Sequence, residues 1–490
     1  MKKLFLLFTI VCSSCYAIAN ITLPRIFGSN MVLQRNKPIN VWGWADPGER
    51  ISVQFNKQLK KTRAGKDGSW KIVLDQEAAG GPYQLVATGK NTVTLENVLV
   101  GEVWICSGQS NMEWSVKNSD SAKREIRESD YPMIRHIKVP RTISATPVKD
   151  ITGGTWQKAD STTTGDFTAV GYFFARKLFK ELNVPIGLIN TSWGGSMVET
   201  WISREAFEKT DEFKNLFSTV PFSEIQAAAD SNKKPVGPNA YPTLLFNGMI
   251  NPLIPFSIQG ALWYQGETNA GRAYQYRTSF PLMINDWRQR FGQGDFPFYF
   301  VQLASFNASN GNSAKGSGWA ELREAQTATL SLPATGMAVT MDIGESKDIH
   351  PRNKQDVGAR LAAIALNNVY KVSTEYSGPV YQSSTTEGNR MILSFAHANG
   401  GLVAKDKYGY VRGFEIAGSD QKFYYAKAEI KDNRVVVYSD SVSNPVAVRY
   451  GWADDMPEVN LYNKEGFPAS PFRTDTWKGI TENSKYEIKK

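Results

Sequence analysis

From about residue 98 to residue 367, short and almost wholly apolar runs alternate with amphipathic stretches, and that alternation leaves few folds open. Residues 103–106, 186–190, 258–264, 298–303 and 338–341 read as buried strands. Residues 167–182, 276–291, 319–330 and 355–367 read as helices; in the first, Val170, Phe173, Phe174, Lys177 and Leu178 fall at helical spacing. Strands that are apolar on both sides need cover on both faces, and strand–helix–strand connections favour parallel pairing. The expectation is an α/β core built on a mainly parallel sheet.

The flanks read differently. Before residue 98, alternating runs such as Ile51-Ser52-Val53-Gln54-Phe55 and Trp70-Lys71-Ile72-Val73-Leu74 are separated by turn signals such as Asp46-Pro47-Gly48 and Lys66-Asp67-Gly68. That pattern predicts a small β-sandwich. Short strands return after about 378, as in Met391-Ile392-Leu393-Ser394-Phe395 and Arg434-Val435-Val436-Val437-Tyr438. The polar stretch 200–245 reads as an insertion over one edge and as part of a substrate lid. The expected organisation is a leader (1–19), an N-terminal β-sandwich domain (20–98), a core (99–375) and a C-terminal β region (376–490) packed on both. A chain of 490 residues accommodates these parts.

Residues 1–19 have the pattern of a signal peptide. Lys2 and Lys3 are followed by an apolar run and by Ala17-Ile18-Ala19, a small-x-small cleavage site. This predicts export to the periplasm or beyond; a rival reading makes Cys15 the lipidated residue of a lipoprotein. Of three cysteines, Cys12 and Cys15 lie in the leader, so the mature chain keeps Cys106 alone, read as a buried strand residue. No later run is long and apolar enough to be transmembrane. The net charge of +9 is scattered without a basic run, which argues against nucleic acid as a partner. No His-x-x-x-His occurs, the one Cys-x-x-Cys, Cys12 to Cys15, lies within the leader, and no dinucleotide or phosphate loop stands where one would serve, so the sequence calls for no metal or organic cofactor.

Four loops at predicted strand ends carry the candidate chemistry. The first is Ser107-Gly108-Gln109-Ser110-Asn111. A strand followed by a tight turn sets the Ser110 hydroxyl at the C-terminal edge of the sheet, where open α/β folds keep their sites; the plainer reading is that Ser110 caps a helix. The others are Thr191-Ser192-Trp193-Gly194-Gly195-Ser196, Trp263-Tyr264-Gln265-Gly266-Glu267-Thr268-Asn269 and Asp348-Ile349-His350-Pro351. Three histidines occur. His136 lies in an alternating strand and His397 precedes a glycine turn. His350, between a core strand and a helix, is the best general base. A nucleophile, a base and convergent donors are what acyl transfer requires.

Gly108-Gln109-Ser110-Asn111, Asn190-Thr191-Ser192-Trp193-Gly194-Gly195, Trp263-Tyr264-Gln265-Gly266-Glu267 and Asp348-Ile349-His350-Pro351 resemble the sialate O-acetylesterase family of SGNH-type serine hydrolases. The resemblance extends over most of the mature chain, from Asn30-Met31-Val32-Leu33-Gln34 to Phe467-Pro468-Ala469-Ser470-Pro471-Phe472-Arg473. It implies a three-layer α/β/α core and a serine esterase removing O-acetyl groups from carbohydrate, with O-acetylated sialic acid as substrate. Ser110 would be the nucleophile and His350 the base. The oxyanion and substrate-binding groups would come from the Ser110 N–H, Gly194 or Gly195, Glu267, and Gln265 or Asn269. The family's acid three residues before the histidine is here Lys347, with Asp348 two before, so His350 is oriented either by Asp348 or by a backbone carbonyl. The rival readings are acetyl esterase action on hemicellulose or pectin, and a non-catalytic carbohydrate-binding protein on a hydrolase fold.

Overall fold

The computed structural model describes residues 20–218, 237–373 and 375–488. The leader expected at 1–19, with Cys12 and Cys15, lies outside the described residues, as does the middle of the 200–245 insertion. One long strand, β1 (Thr92–Gly108), organises what is described. In its first part, Thr92-Val93-Thr94-Leu95-Glu96 alternates polar with apolar residues, and exposed positions alternate with half-buried ones. From Val98 onward it is buried throughout. The alternating part pairs antiparallel with Gly80–Thr88, which pairs in turn with Arg50–Phe55. The buried part belongs to a parallel sheet. The boundary expected at 98–99 therefore falls inside a continuous strand shared by the N-terminal β region and the core.

The core strands are β1, β2 (Tyr131–Lys138), β3 (Gln157–Ala159), β4 (Ile186–Ser192), β5 (Gly260–Tyr264), β6 (Phe298–Val301) and β7 (Thr335–Ala338). Their spatial order is β7-β6-β5-β1-β4-β2-β3. Every neighbouring pair is parallel except β2 with the edge strand β3. From β1 the chain first lays β2 and the edge strand β3 on one side and returns to insert β4 beside β1, then crosses to β5, β6 and β7 on the other. The reversal falls between β1 and β5, the place where open α/β sheets form their ligand crevice.

The helices that cover the sheet or open at the site are α1 (Ser110–Glu113), α2 (Ala169–Leu182), α3 (Ala273–Phe291), α4 (Gly318–Ala328) and α5 (Lys354–Asn368). Successive strand residues divide between two apolar clusters, as a period of two requires. Trp104, Cys106, Leu262 and Tyr299 pack with Phe173 and Phe174 of α2 and Leu361 of α5. Val103, Ile105, Trp263 and Phe300 pack with Phe280 and Trp287 of α3 and Leu322 of α4. Trp104 stacks on Tyr299 at 5.7 Å and meets Phe174 edge-on at 5.0 Å. Cys106 is fully buried, as read from the sequence, and burial pushes its thiol up.

Two elements differ from expectation. The last core strand is Thr335–Ala338, not 338–341: residues 335–338 pair in register with β6, after which Met341–Ile343 form a 3₁₀ turn. The helix opening at Ser110 is a single turn. Its Met112 carbonyl accepts from Thr168 Oγ1 at 2.6 Å, and the Trp114 carbonyl accepts from the Ala169 N–H at 2.8 Å. Those carbonyls are spent before another helical turn can form.

After residue 378 the chain forms two four-stranded antiparallel sheets and a two-stranded one. Arg323, fully buried on α4, fastens this region to the core: it donates to the Leu303 and Ala304 carbonyls on one side and to those of Ala453 and Asp454 on the other. Among the described residues no helix is long and apolar enough to cross a membrane.

Candidate active site

Strands β1, β4 and β5 end level with one another, Gly108 standing opposite both Ser192 and Tyr264. The Trp193 N–H donates to the Gly108 carbonyl and the Gln109 N–H to that of Tyr264, so three loops leave the sheet edge together. Gly108 has φ +130°, and a Cβ there would run into the Tyr264 carbonyl. Only glycine fits. Gly108→Ala is expected to lower the melting temperature, with backbone strain alone costing about 1–3 kcal/mol; an unchanged thermal melt would show that the turn tolerates a side chain. Ser110 follows as the first residue of α1, where the backbone N–H has no intrahelical acceptor.

His350 reaches Ser110 from the far side of the sheet edge. Its Nε2 lies 2.8 Å from Ser110 Oγ. Asp348 sits two residues earlier, a spacing at which helical side chains do not face each other. The loop is not helical: Asp348 Oδ1 accepts the His350 N–H at 2.9 Å, an Asx turn that swings the carboxylate round beside its own loop. The same Oδ1 lies 3.6 Å from His350 Nδ1, beyond hydrogen-bond length but facing the nitrogen that does not meet serine. The Trp114 ring stacks on the imidazole, centroids 5.0 Å apart and planes 14° from parallel. Burial holds the His350 pKa below its ordinary value. Asp348 pulls it up, and the charge of Lys354 pushes it further down.

The other two histidines have different places. His136 is buried on β2 against Phe167, and desolvation lowers it to about 3, so it stays neutral. His397 has φ +55°, in a turn, with Nδ1 3.3 Å from Glu375.

The second loop lies against the serine, a Cβ built on Gly194 standing 3.3 Å from Ser110 Cβ. The Gly194 N–H donates to Glu113 Oε2 at 3.0 Å. Glu113 also accepts two bonds from Arg141, with Lys138 3.6 Å away. Arg141 in turn lies over the Trp193 ring. Gly195, at φ +74°, is fixed by its carbonyl, which accepts from Asn239 and Thr268. Asn239 ties the described end of the 200–245 insertion to this loop.

The choice between Gln265 and Asn269 takes a different form from the one expected, because both amides are spent inside the protein. Gln265 Nε2 donates to the Ser196 carbonyl and to Asn269 Oδ1, while its Oε1 accepts from Tyr276. Asn269 Nδ2 donates to both oxygens of buried Glu199. The two residues brace the second loop against the third. Glu267 accepts from Asn111 Nδ2 at 2.6 Å, and Asn111 also donates to the Ile349 carbonyl and accepts from Lys354. Sequence reading singled out Ser110, His350, Asp348 and Gly194, which the structure places side by side. It passed over Glu113 and Trp114, which directly follow the serine motif, and Arg141 and Lys354, which carry no pattern of their own.

A serine hydroxyl within reach of an imidazole, beside a glycine loop at a sheet's switch point, is an arrangement suited to acyl transfer. Comparison with known proteins agrees. The family profile described as carbohydrate esterase, sialic acid-specific acetylesterase, matches residues 100–367. The mouse sialate O-acetylesterase is 30% identical, covering 90% of this chain and 92% of its own. The human sialate O-acetylesterase is 29% identical, covering 91% and 90%. The crystal structure of a carbohydrate acetylesterase from Xanthomonas citri superposes with a TM-score of 0.85 at 42% identity, over 93% of this chain and all of that one. The chain belongs to the carbohydrate esterase family of sialic acid-specific acetylesterases, and it is a carboxylic ester hydrolase that removes acetyl groups from carbohydrate.

Proposed function

We propose that the substrate is an O-acetylated sialic acid and that Ser110 and His350 carry the reaction. The observation on which the mechanism rests is the 2.8 Å contact between Ser110 Oγ and His350 Nε2. His350, kept neutral by its lowered pKa, takes the hydroxyl proton as Oγ adds to the acetyl carbonyl. The oxyanion forms between the Ser110 N–H and the Gly194–Gly195 backbone, once Glu113 releases the Gly194 N–H. Collapse expels the sugar hydroxyl, which receives the proton from His350. Water, activated by the same imidazole, then frees acetate from Ser110. Asp348 faces Nδ1 and stabilises the imidazolium through charge.

The mouth of the site supports an acidic sugar: Lys138 and Arg141 bring two cations to the single carboxylate of Glu113, and about half of each cationic side chain stays exposed. We read the core as a three-layer α/β/α sheet of the SGNH type, which the division of strand residues between two helix-bearing clusters supports. The N-terminal (20–98) and C-terminal (376–490) β regions work with the core as one unit, supported by the shared strand β1 and the Arg323 anchor. Export, read from residues 1–19, belongs with this reading.

Acetate release from a panel of O-acetylated sialic acids, acetylated xylan and acetylated pectin tests the substrate. The sialic acids are expected to give the highest kcat/KM. A preference for xylan or pectin would move the substrate to plant polysaccharide, and background rates on all three would support a binding protein.

A further inference from the structure

Beneath the serine and histidine lies a buried polar chain that acyl transfer does not itself require. We propose that Lys354 is a positioning residue: through Asn111 it locks the Ser110 loop to the His350 loop and holds a positive charge behind the imidazole. The inference rests on the Ser110–His350 reading of the site.

Asn111 is the joint. It follows Ser110 directly, is buried, and spends its whole amide on three separate elements. Nδ2 donates to the Ile349 carbonyl, one residue before His350, at 3.0 Å, and to Glu267 Oε1 in the third loop at 2.6 Å. Oδ1 accepts from Lys354 Nζ at 2.6 Å. One amide thus ties the serine loop, the histidine loop, the loop after β5 and the start of α5.

Lys354 has no exposed surface, and burying an ammonium is costly unless something on the protein compensates it. Its head lies 5.3 Å from the Tyr264 ring centre and 5.9 Å from that of Trp114, the ring stacked on His350. The charged groups acting on it are Glu267, Glu345 and Asp348. Burial nonetheless brings it down to about 7. Glu267 is driven up by burial, and its Oε2 has no hydrogen-bond partner among the described residues. A lysine put here only for packing would be replaced more cheaply by an apolar side chain. Its place between the two reacting loops accounts for that cost.

The consequences are separable. Below pH 7 Lys354 carries its charge, which opposes protonation of His350. In Lys354→Met, Glu267 is left alone and takes up a proton rather than remaining a bare buried charge. The acid limb of kcat/KM should then move to higher pH. Because the loops lose their shared anchor, kcat should fall about 10–100-fold, the scale of an ångström-sized misplacement, while KM changes little. Asn111→Ser removes the joint but leaves the charge. It should lower kcat similarly without moving the limb.

The test measures kcat, KM and the pH profile on p-nitrophenyl acetate for wild type, Lys354→Met, Asn111→Ser and Ser110→Ala, each checked by circular dichroism and thermal melting. A folded Lys354→Met with kcat within about threefold of wild type, under 1 kcal/mol of barrier, or with an unmoved acid limb overturns the proposal. If Lys354→Met does not fold, Asn111→Ser decides: a kcat within that same margin overturns it, and the expected loss at unchanged KM and limb upholds it. Substantial activity in Ser110→Ala would instead overturn the underlying mechanism, so the two failures are distinguishable.

Discussion

Ser110→Ala is expected to lower kcat by on the order of 10⁶, the loss typical of removing an activated serine nucleophile. The fold should survive. Ser110 Oγ makes its hydrogen bond to His350 Nε2, whose imidazole remains partly exposed and can turn to water when the hydroxyl is gone. The backbone that shapes the site does not depend on that oxygen: Gly108 is held by the Trp193 N–H, and Gln109 by the Tyr264 carbonyl. Wild type should also show a burst of p-nitrophenol as the acyl-enzyme accumulates, and the variant should show none. A variant that kept more than about a tenth of the wild-type rate, barely 1.4 kcal/mol of barrier, would remove Ser110 from the reaction.

The parallel core was legible because its residues obey short-range rules. Residues 186–190 and 298–301 have to be buried on both faces, and the helix at Ala169–Leu182 repeats its apolar residues at helical spacing. What was not legible is the continuity of β1. Residues 103–106 read as a core strand, while the alternating Thr92–Glu96 falls on the other side of the boundary expected at 98–99. Hydrogen bonding to Gly80–Thr88 on one stretch and to β4 and β5 on the next makes them a single strand. The one-turn α1 has a similar cause: its carbonyls are captured by Thr168 and Ala169, more than fifty residues away, and no local propensity records that.

At the site, the residues that were readable are those whose type is tied to a task. A serine after a forced glycine turn and a histidine between strand and helix are such residues. Gln265 and Asn269 look like exposed donors because amides at strand ends often are, yet Tyr276, Ser196 and Glu199 absorb them. Glu113 and Arg141 lie 28 residues apart, and only the fold makes them a pair. Lys354 opens α5, a helix-start position ordinarily solvated. Its burial follows from how α5 packs beneath the serine loop.

His350→Ala should lose nearly as much activity as Ser110→Ala, since nucleophile and base act as a unit. In wild type, kcat/KM should rise with pH as the imidazole loses its proton. Burial and the Lys354 charge lower that pKa, so the acid limb should lie below the ordinary histidine value of ~6.5. Asp348 opposes them by raising it. Asp348→Asn keeps an Oδ1 to accept the His350 N–H, so the Asx turn, and with it the loop, should hold. What disappears is the negative charge facing Nδ1. The resting separation of 3.6 Å is longer than a hydrogen bond, and such contacts tighten once the imidazole takes a proton. A neutral amide gains no such attraction. Asp348→Asn should therefore cost about 10²–10³ in kcat, less than the ~10⁴ seen where the carboxylate is hydrogen-bonded to the ring at rest. The acid limb should shift to lower pH, the opposite of the shift expected for Lys354→Met. If Asp348→Asn turns over within a few-fold of wild type with its limb unmoved, Asp348 is only a loop brace and the serine works with His350 alone.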